Sequence, residues 1–275
     1  MTYRSVLVHV DNDATSQGRL DYAVRLARGF DAELVGIYLV PGTDLSPSSA
    51  AMLRPEVVAR RLGEFGDAQH AAEKAFRTTA AGIATVDWRA PAGAPIDAAV
   101  AHGRCTDLFI LGQRDAATAR FDEALVSNVL LSSGRPTLVV PQTGAPASVG
   151  ENVLVAWNGG REAARAIGDA LPLLERAKRI DILAVDDDGE PDVAERLAGA
   201  RLGAWLHAHG IAAGVERHEV RDIGIGEWLL DRAADLGSDL IVMGGYGHAR
   251  MRELVLGGVT RTVLRSMTVP VFMAH

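Results

Sequence analysis

A single cysteine in 275 residues leaves Cys105 nothing to pair with inside the chain. A disulfide framework is therefore excluded, as is any metal site with two thiolate ligands. Basic blocks are missing as well: 28 Lys and Arg stand against 35 Asp and Glu, a formal net charge of −7. Nucleic acid, whose binding needs a Lys/Arg stripe to displace counterions, is not an expected partner. Nor is a membrane, because no apolar run reaches the ~20 residues that a spanning helix requires. The opening "MTYRSVLVHVD" goes straight into strand-like alternation with no signal-peptide pattern ahead of it, so a cytoplasmic place is expected.

With 48% hydrophobic and 23% charged residues, the chain has the balance of a soluble globular protein with a real core. Its clearest organisational signal is a duplication. "RSVLVHVDN" resembles "ENVLVAWNG", "CTDLFILGQ" resembles "GSDLIVMGG", and "GRPTLVVP" resembles "MTVPVFMA". The copies meet at "PQTGAPASVG", residues 141–150, a Pro/Gly/Ser-rich stretch of linker type. Two domains are expected, over residues 1–142 and 151–275.

Within each half, apolar runs rich in Val, Ile and Leu alternate with stretches of helical period, as where Leu20, Ala23, Val24 and Ala27 follow "SVLVHV". Runs without strict polar alternation suit parallel strands covered on both faces. Five strands and four helices per half predict an α/β fold of two doubly wound domains, each with a five-stranded parallel sheet. Ligands of such sheets lie beyond the carboxyl ends of the strands, where the strand order reverses.

The second half carries "GGYGHARMRELVLGGVT", residues 244–260, directly after the strand-like "DLIVMG". Gly244, Gly247 and Gly257 are spaced as Gly-x2-Gly-x9-Gly, and Gly258 follows. Two readings of the glycines stay open. They cradle an anion on successive backbone N–H groups at a helix start, or they make a tight strand-to-loop turn. Arg250, Arg252 and His248 either add positive charge there or form a solvated face.

This layout resembles the universal stress protein family, and the duplication resembles a tandem member with two such domains. The glycine spacing is that of ATP-binding members, with Gly258 where Ser or Thr is usual. The resemblance implies flavodoxin-like (Rossmann-like) domains and an adenine nucleotide, ATP, held in the second half as a regulatory ligand. Phosphates would lie on Gly244, Gly247, Gly257, Gly258 and Val259, with Arg250 nearby. Base and ribose would lie near Asn158, Ala156, Val185 and Met243. It also implies edge-to-edge pairing of the last strands, "TLVVP" and "VPVFMA", within the chain, and a further homodimer. The alternative function is a nucleotide-free interaction module.

The halves differ. Counting back from Pro136 against Pro270 puts Glu123 and Ala124 opposite Gly257 and Gly258, so the first half has lost its loop and is expected to bind no nucleotide. It retains Asp11, where ATP-binding relatives carry an aspartate, whereas the second half has Asn158. The Asn158 side-chain carbonyl is expected to accept one ligand hydrogen bond. Thr260 either supplies the missing hydroxyl or bonds its own backbone.

No phosphate-loop lysine is present, and no nucleophile pairs with a base; at most slow ATP hydrolysis is expected. The pair His207/His209 lacks the i, i+4 spacing of helix-borne metal ligands. The acidic run from Asp186 to Asp192 reads as a solvated turn rather than a calcium loop. "DIGIGEW" reads as the start of a helix at Gly226. Cys105 is expected to be a buried, inert thiol.

Overall fold

A computed structural model describes residues 2–39, 55–113, 119–144, 146–186, 193–219, 224–247 and 258–275. The first half runs β1 (Ser5–Val10), α1 (Ser16–Phe30), β2 (Glu33–Tyr38), α2 (Pro55–Thr79), β3 (Val86–Arg89), α3 (Pro95–Gly103), β4 (Leu108–Gly112), α4 (Ala119–Ser132) and β5 (Thr137–Val140). The second repeats the order with β6 (Asn152–Trp157), α5 (Arg161–Leu174), β7 (Arg179–Asp186), α6 (Val193–Ala208), β8 (Gly214–Glu219), α7 (Ile225–Asp235), β9 (Leu240–Gly244), α8 (Gly258–Ser266) and β10 (Val271–Ala274). The described residues thus hold the five strands and four helices per half that the sequence pattern predicts.

Strands β4 (LFILG) and β9 (LIVMG) have four consecutive buried residues each, which is possible only where helices cover both faces. Helix α1 buries Leu20, Ala23, Val24 and Ala27 on one stripe. It stops at Asp31, whose left-handed backbone (φ 51°) returns its N–H to the Ala27 and Arg28 carbonyls. Helix α7 begins at Ile225 rather than Gly226. A β-carbon on Gly226 would lie 2.8 Å from Thr262 Cβ, so glycine there lets α7 press against α8.

All ten strands form one sheet in the order β3-β2-β1-β4-β5-β10-β9-β6-β7-β8. Each half is parallel and ordered 3-2-1-4-5, the Rossmann-like order rather than the 2-1-3-4-5 of flavodoxin. The halves join where β5 and β10 pair antiparallel, with Val139 opposite Val271, Leu138 opposite Phe272 and Thr137 opposite Met273. These six residues are fully buried, and burying a Val, Leu or Phe side chain contributes about 1.5–3 kcal/mol. The pairing also removes an open edge from each half, and open edges invite aggregation.

The core continues across the joint. One apolar cluster, with α1, α2, α5 and α6, contains Leu20, Phe76, Ile167 and Leu206. The other, with α3, α4, α7 and α8, contains Val100, Leu130, Leu229 and Val263. Polar contacts stitch the joint on both faces. Tyr3 Oη donates to the Asp169 carbonyl at 2.7 Å and Arg25 Nη2 to that of Pro146 at 3.0 Å. The Arg176 guanidinium lies 3.9 Å from the Phe30 ring centre. Across the α4/α8 face, Gln113 Nε2 donates to the Leu264 and Arg265 carbonyls, each at 3.1 Å.

Candidate functional site

The strand order reverses between β6 and β9 in the second half and between β1 and β4 in the first, so each half has one crevice at the carboxyl ends of those strands. Asn158 and Asp11 occupy equivalent places, each the first residue after its strand. They also make the same local bond: Asp11 Oδ1 accepts from the Asp13 N–H, and Asn158 Oδ1 from the Gly160 N–H, both at 3.0 Å. That bond uses one lone pair of the Asn158 carbonyl to close the turn into α5 and leaves the other for a further donor. What Asn158 turns toward the glycine loop is its Nδ2, 3.8 Å from where a β-carbon of Gly247 would stand.

The glycines after β9 serve different ends. A β-carbon on Gly244 would fall 2.6 Å from the Ala163 nitrogen, and one on Gly245 would meet Leu130 Cδ2. Both are glycine for close approach. The left-handed backbone belongs instead to Tyr246, at φ 60°, a conformation that costs a bulky L-residue about 1–2 kcal/mol. Among the described residues none comes within 4 Å of a β-carbon on Gly258, and one on Gly247 would meet only Glu162 Oε2 (3.5 Å) and Asn158 Nδ2. Val259 is half-buried at the start of α8. Thr260 is buried, and its Oγ1 faces the Tyr246 N–H at 3.5 Å, so its hydroxyl is engaged by the loop.

Met243 is buried in β9, and Ala156 is a half-buried residue of β6. Both belong to the core on the α7/α8 face. Val185 lies in β7, next to β6, and its side chain is outside the described residues. So are Gly257, Arg250, His248 and Arg252, and the acidic run beyond Asp186.

Glu162, in the first turn of α5, is a residue that the spacing of the glycines does not indicate. Its side chain is 9% exposed, and Arg161 Nε donates to its Oε1 at 2.6 Å. Burial works against its ionisation, but the Arg161 bond and charge, a backbone hydrogen bond and His275 hold the carboxyl below its ordinary range. An ionised carboxylate therefore stands beside Gly247 and Asn158. A highly charged anion placed beside Gly247 would be opposed by the Glu162 carboxylate.

The first-half crevice is filled by the protein itself. Arg19, 4% exposed, donates from Nη2 to Asp11 Oδ2 at 2.6 Å and from Nε to the His9 carbonyl at 2.7 Å. Its Nη1 occupies the place a β-carbon of Gly112 would take. Burial works against ionisation of Asp11, yet Arg19, His9 and the Asp13 N–H keep its carboxyl below the usual range. His9 donates Nε2–H to the Leu39 carbonyl at 3.3 Å. Burial, reinforced by Arg19, lowers its pKa to about 4, and it stays neutral. The space left among His9, Asp11, Arg19, Gly112 and Gln113 is about 10 Å³, the lower limit for one water molecule. With the register fixed by Asp11 and Asn158, the counterpart of Arg19 is Ala166. An arginine beside Leu20 in the buried stripe of α1 was the signal for this plug.

Among the described residues, no group of three or more His, Cys, Asp and Glu side chains is placed to hold a metal ion. No described helix is long and apolar enough to cross a membrane. Cys105 is exposed, correcting the expectation of a buried thiol: it lies in the turn between α3 and β4, where Thr106 instead faces inward.

Comparison with known proteins agrees with this architecture. The Universal stress protein family pattern matches the chain twice, over residues 2–141 and 150–275. The universal stress protein Slr1230 of Synechocystis sp. (strain ATCC 27184 / PCC 6803 / Kazusa) is 25% identical over 193 residues, 60% of this chain; the match spans only 56% of that protein. A universal stress protein from Archaeoglobus fulgidus DSM 4304 is similar in fold, with a TM-score of 0.74 at 20% identity, covering 100% of this chain and 99% of its own. A universal stress protein crystallised in complex with cAMP aligns with 52% of this chain and 99% of its own, at 21% identity and a TM-score of 0.36. The chain belongs to the universal stress protein family as a tandem member, with two such domains joined through their last strands.

Proposed function

We propose that the second half binds one adenine nucleotide, ATP first among the candidates, as a regulatory ligand in a cytoplasmic stress response, and that the first half binds none. The observation that carries this reading is the contrast between the two crevices. Arg19 and Asp11 fill the first, whereas in the second Ala166 stands in the place of Arg19 and, among the described residues, only side-chain atoms of Glu162 and Asn158 come near Gly247. In this reading the phosphates rest on the loop amides and the α8 N-terminus, with Gly257 and Arg250 completing the cradle, and the base and ribose lie toward Ala156, Met243 and Val185. Any hydrolysis is slow, and self-association into a homodimer accompanies the tandem pairing.

The test is to denature freshly purified protein, identify any released nucleotide, and titrate ATP and cAMP by calorimetry. One site per chain for ATP is expected. No released nucleotide and no heat up to about 1 mM ligand would overturn the reading. It would favour the nucleotide-free interaction module, which the fully buried β5–β10 joint supports.

A further inference from the structure

We propose that Ser127 of the first half is a positioning residue for the glycine loop of the second: by accepting the Tyr246 hydroxyl it holds the turn that presents Gly247 beside Asn158. The half that binds no nucleotide would then set the affinity of the half that does. The inference rests on reading the second-half loop as a nucleotide site.

Two non-glycine residues among those described have a left-handed backbone, Asp31 and Tyr246. Asp31 ends a helix, where that conformation is ordinary. Tyr246 ends none, and strain of this kind persists only where the surroundings over-determine it. The surroundings of Tyr246 include α4, the end of β10 and, at its N–H, Thr260 of α8. Its Oη donates to Ser127 Oγ at 2.6 Å, and Ser127 Oγ donates to the Glu123 carbonyl at 2.6 Å. The serine proton is thus committed to α4, and its lone pair is left for the tyrosine. Leu130, also of α4, occupies the space above Gly245. The Gly245 N–H donates to the Ala274 carbonyl at 2.9 Å, and its own carbonyl accepts from His275 Nδ1 at 3.1 Å.

The opposite wall of the site is tied to the first half too. Gln113 caps the last carbonyls of α8, and Arg261 of α8 lies 3.7 Å from Glu123 of α4. Gln113 directly follows β4, as Gly245 follows β9. Each half's post-strand loop is therefore fastened to the other half's last helix.

The test uses Ser127→Ala, Tyr246→Phe, the double variant and Ser127→Thr in the full chain, with ATP calorimetry and amide exchange of residues 245–247 in the absence of ligand. Each hydroxyl deletion should weaken ATP about three- to tenfold, with little change in Tm. The double variant should be no weaker than the worse single one, because the two hydroxyls form one bond. Ser127→Thr, which keeps the acceptor, should restore affinity. Without ligand, residues 245–247 should exchange faster in both single variants than in the parent. Unchanged affinity with a lowered Tm would reduce the contact to packing and overturn the proposal. If the parent itself binds no ATP, the nucleotide reading fails by itself. The exchange data then decide the positioning role, and equal exchange in parent and variants overturns it.

Discussion

Arg19 Nη2 stands 2.6 Å from Asp11 Oδ2 with both side chains largely withdrawn from solvent, and the residue in the Arg19 position of the second half is Ala166. The two crevices thus differ in shape and charge at this position, as they do at Asp11 and Asn158. Arg19→Ala should destabilise the chain by about 3–5 kcal/mol, the usual cost of leaving one member of a buried ion pair alone. Denaturant unfolding measures it, and Arg19→Ala combined with Asp11→Asn should recover part of the loss.

His9 gives the fold a pH dependence with a defined sign. Its pKa falls from 6.5 to about 4 on folding, so the unfolded chain binds the extra proton and stability drops as pH falls through that window. The loss between pH 7 and pH 5 should be about 2 kcal/mol. A His9→Gln chain should show a flatter profile over the same range. Asp11, with a depressed carboxyl pKa, acts lower: its contribution is present above about pH 4 and is lost below it.

Glu162 is expected to weaken the binding of a highly charged ligand. Glu162→Gln should tighten ATP about five- to tenfold, with a smaller gain for a nucleoside monophosphate. Calorimetry decides this. Weaker binding in the variant would mean that the carboxylate helps the ligand, through a cation it holds.

The glycines should separate by readout. Gly244→Ala places a methyl group against the α5 backbone and should lower stability by about 1–3 kcal/mol. Gly247→Asp meets no backbone among the described residues and should leave Tm near the parent value while abolishing nucleotide binding. Gly112→Ala, pressed on Arg19, should destabilise without touching that binding.

Cys105, exposed in its turn, should react with an aromatic disulfide reagent in the native chain at a stoichiometry of one. Reaction only after denaturation would contradict its placement.

The duplication and the alternation of strands and helices were legible in the sequence because long apolar runs must be covered on both faces, whereas the pairing of "TLVVP" with "VPVFMA", which β5 and β10 make, was implied only by the family resemblance. The crevices were less legible. How Asn158 is oriented depends on the turn into α5, where the Gly160 N–H bonds its oxygen. Glu162 reads in sequence as an acidic residue favouring a helix N-terminus, which it also is. Only the approach of β9 to α5 brings it beside Gly247. The glycine spacing passes over Tyr246, whose backbone is the left-handed one in that turn. Cys105 was misjudged because thiols favour interiors on average, whereas its own turn sends Thr106 inward.

The β5–β10 joint fixes more than shape. Two identical domains joined through their last strands would carry two equivalent crevices related by symmetry, and occupation of one could alter the other. Here a covalent partner with a plugged crevice takes the second place permanently. A titration should therefore saturate at one ligand per chain with a Hill slope of one. Graded occupancy, rather than a cooperative switch, is the response this arrangement permits within a single chain.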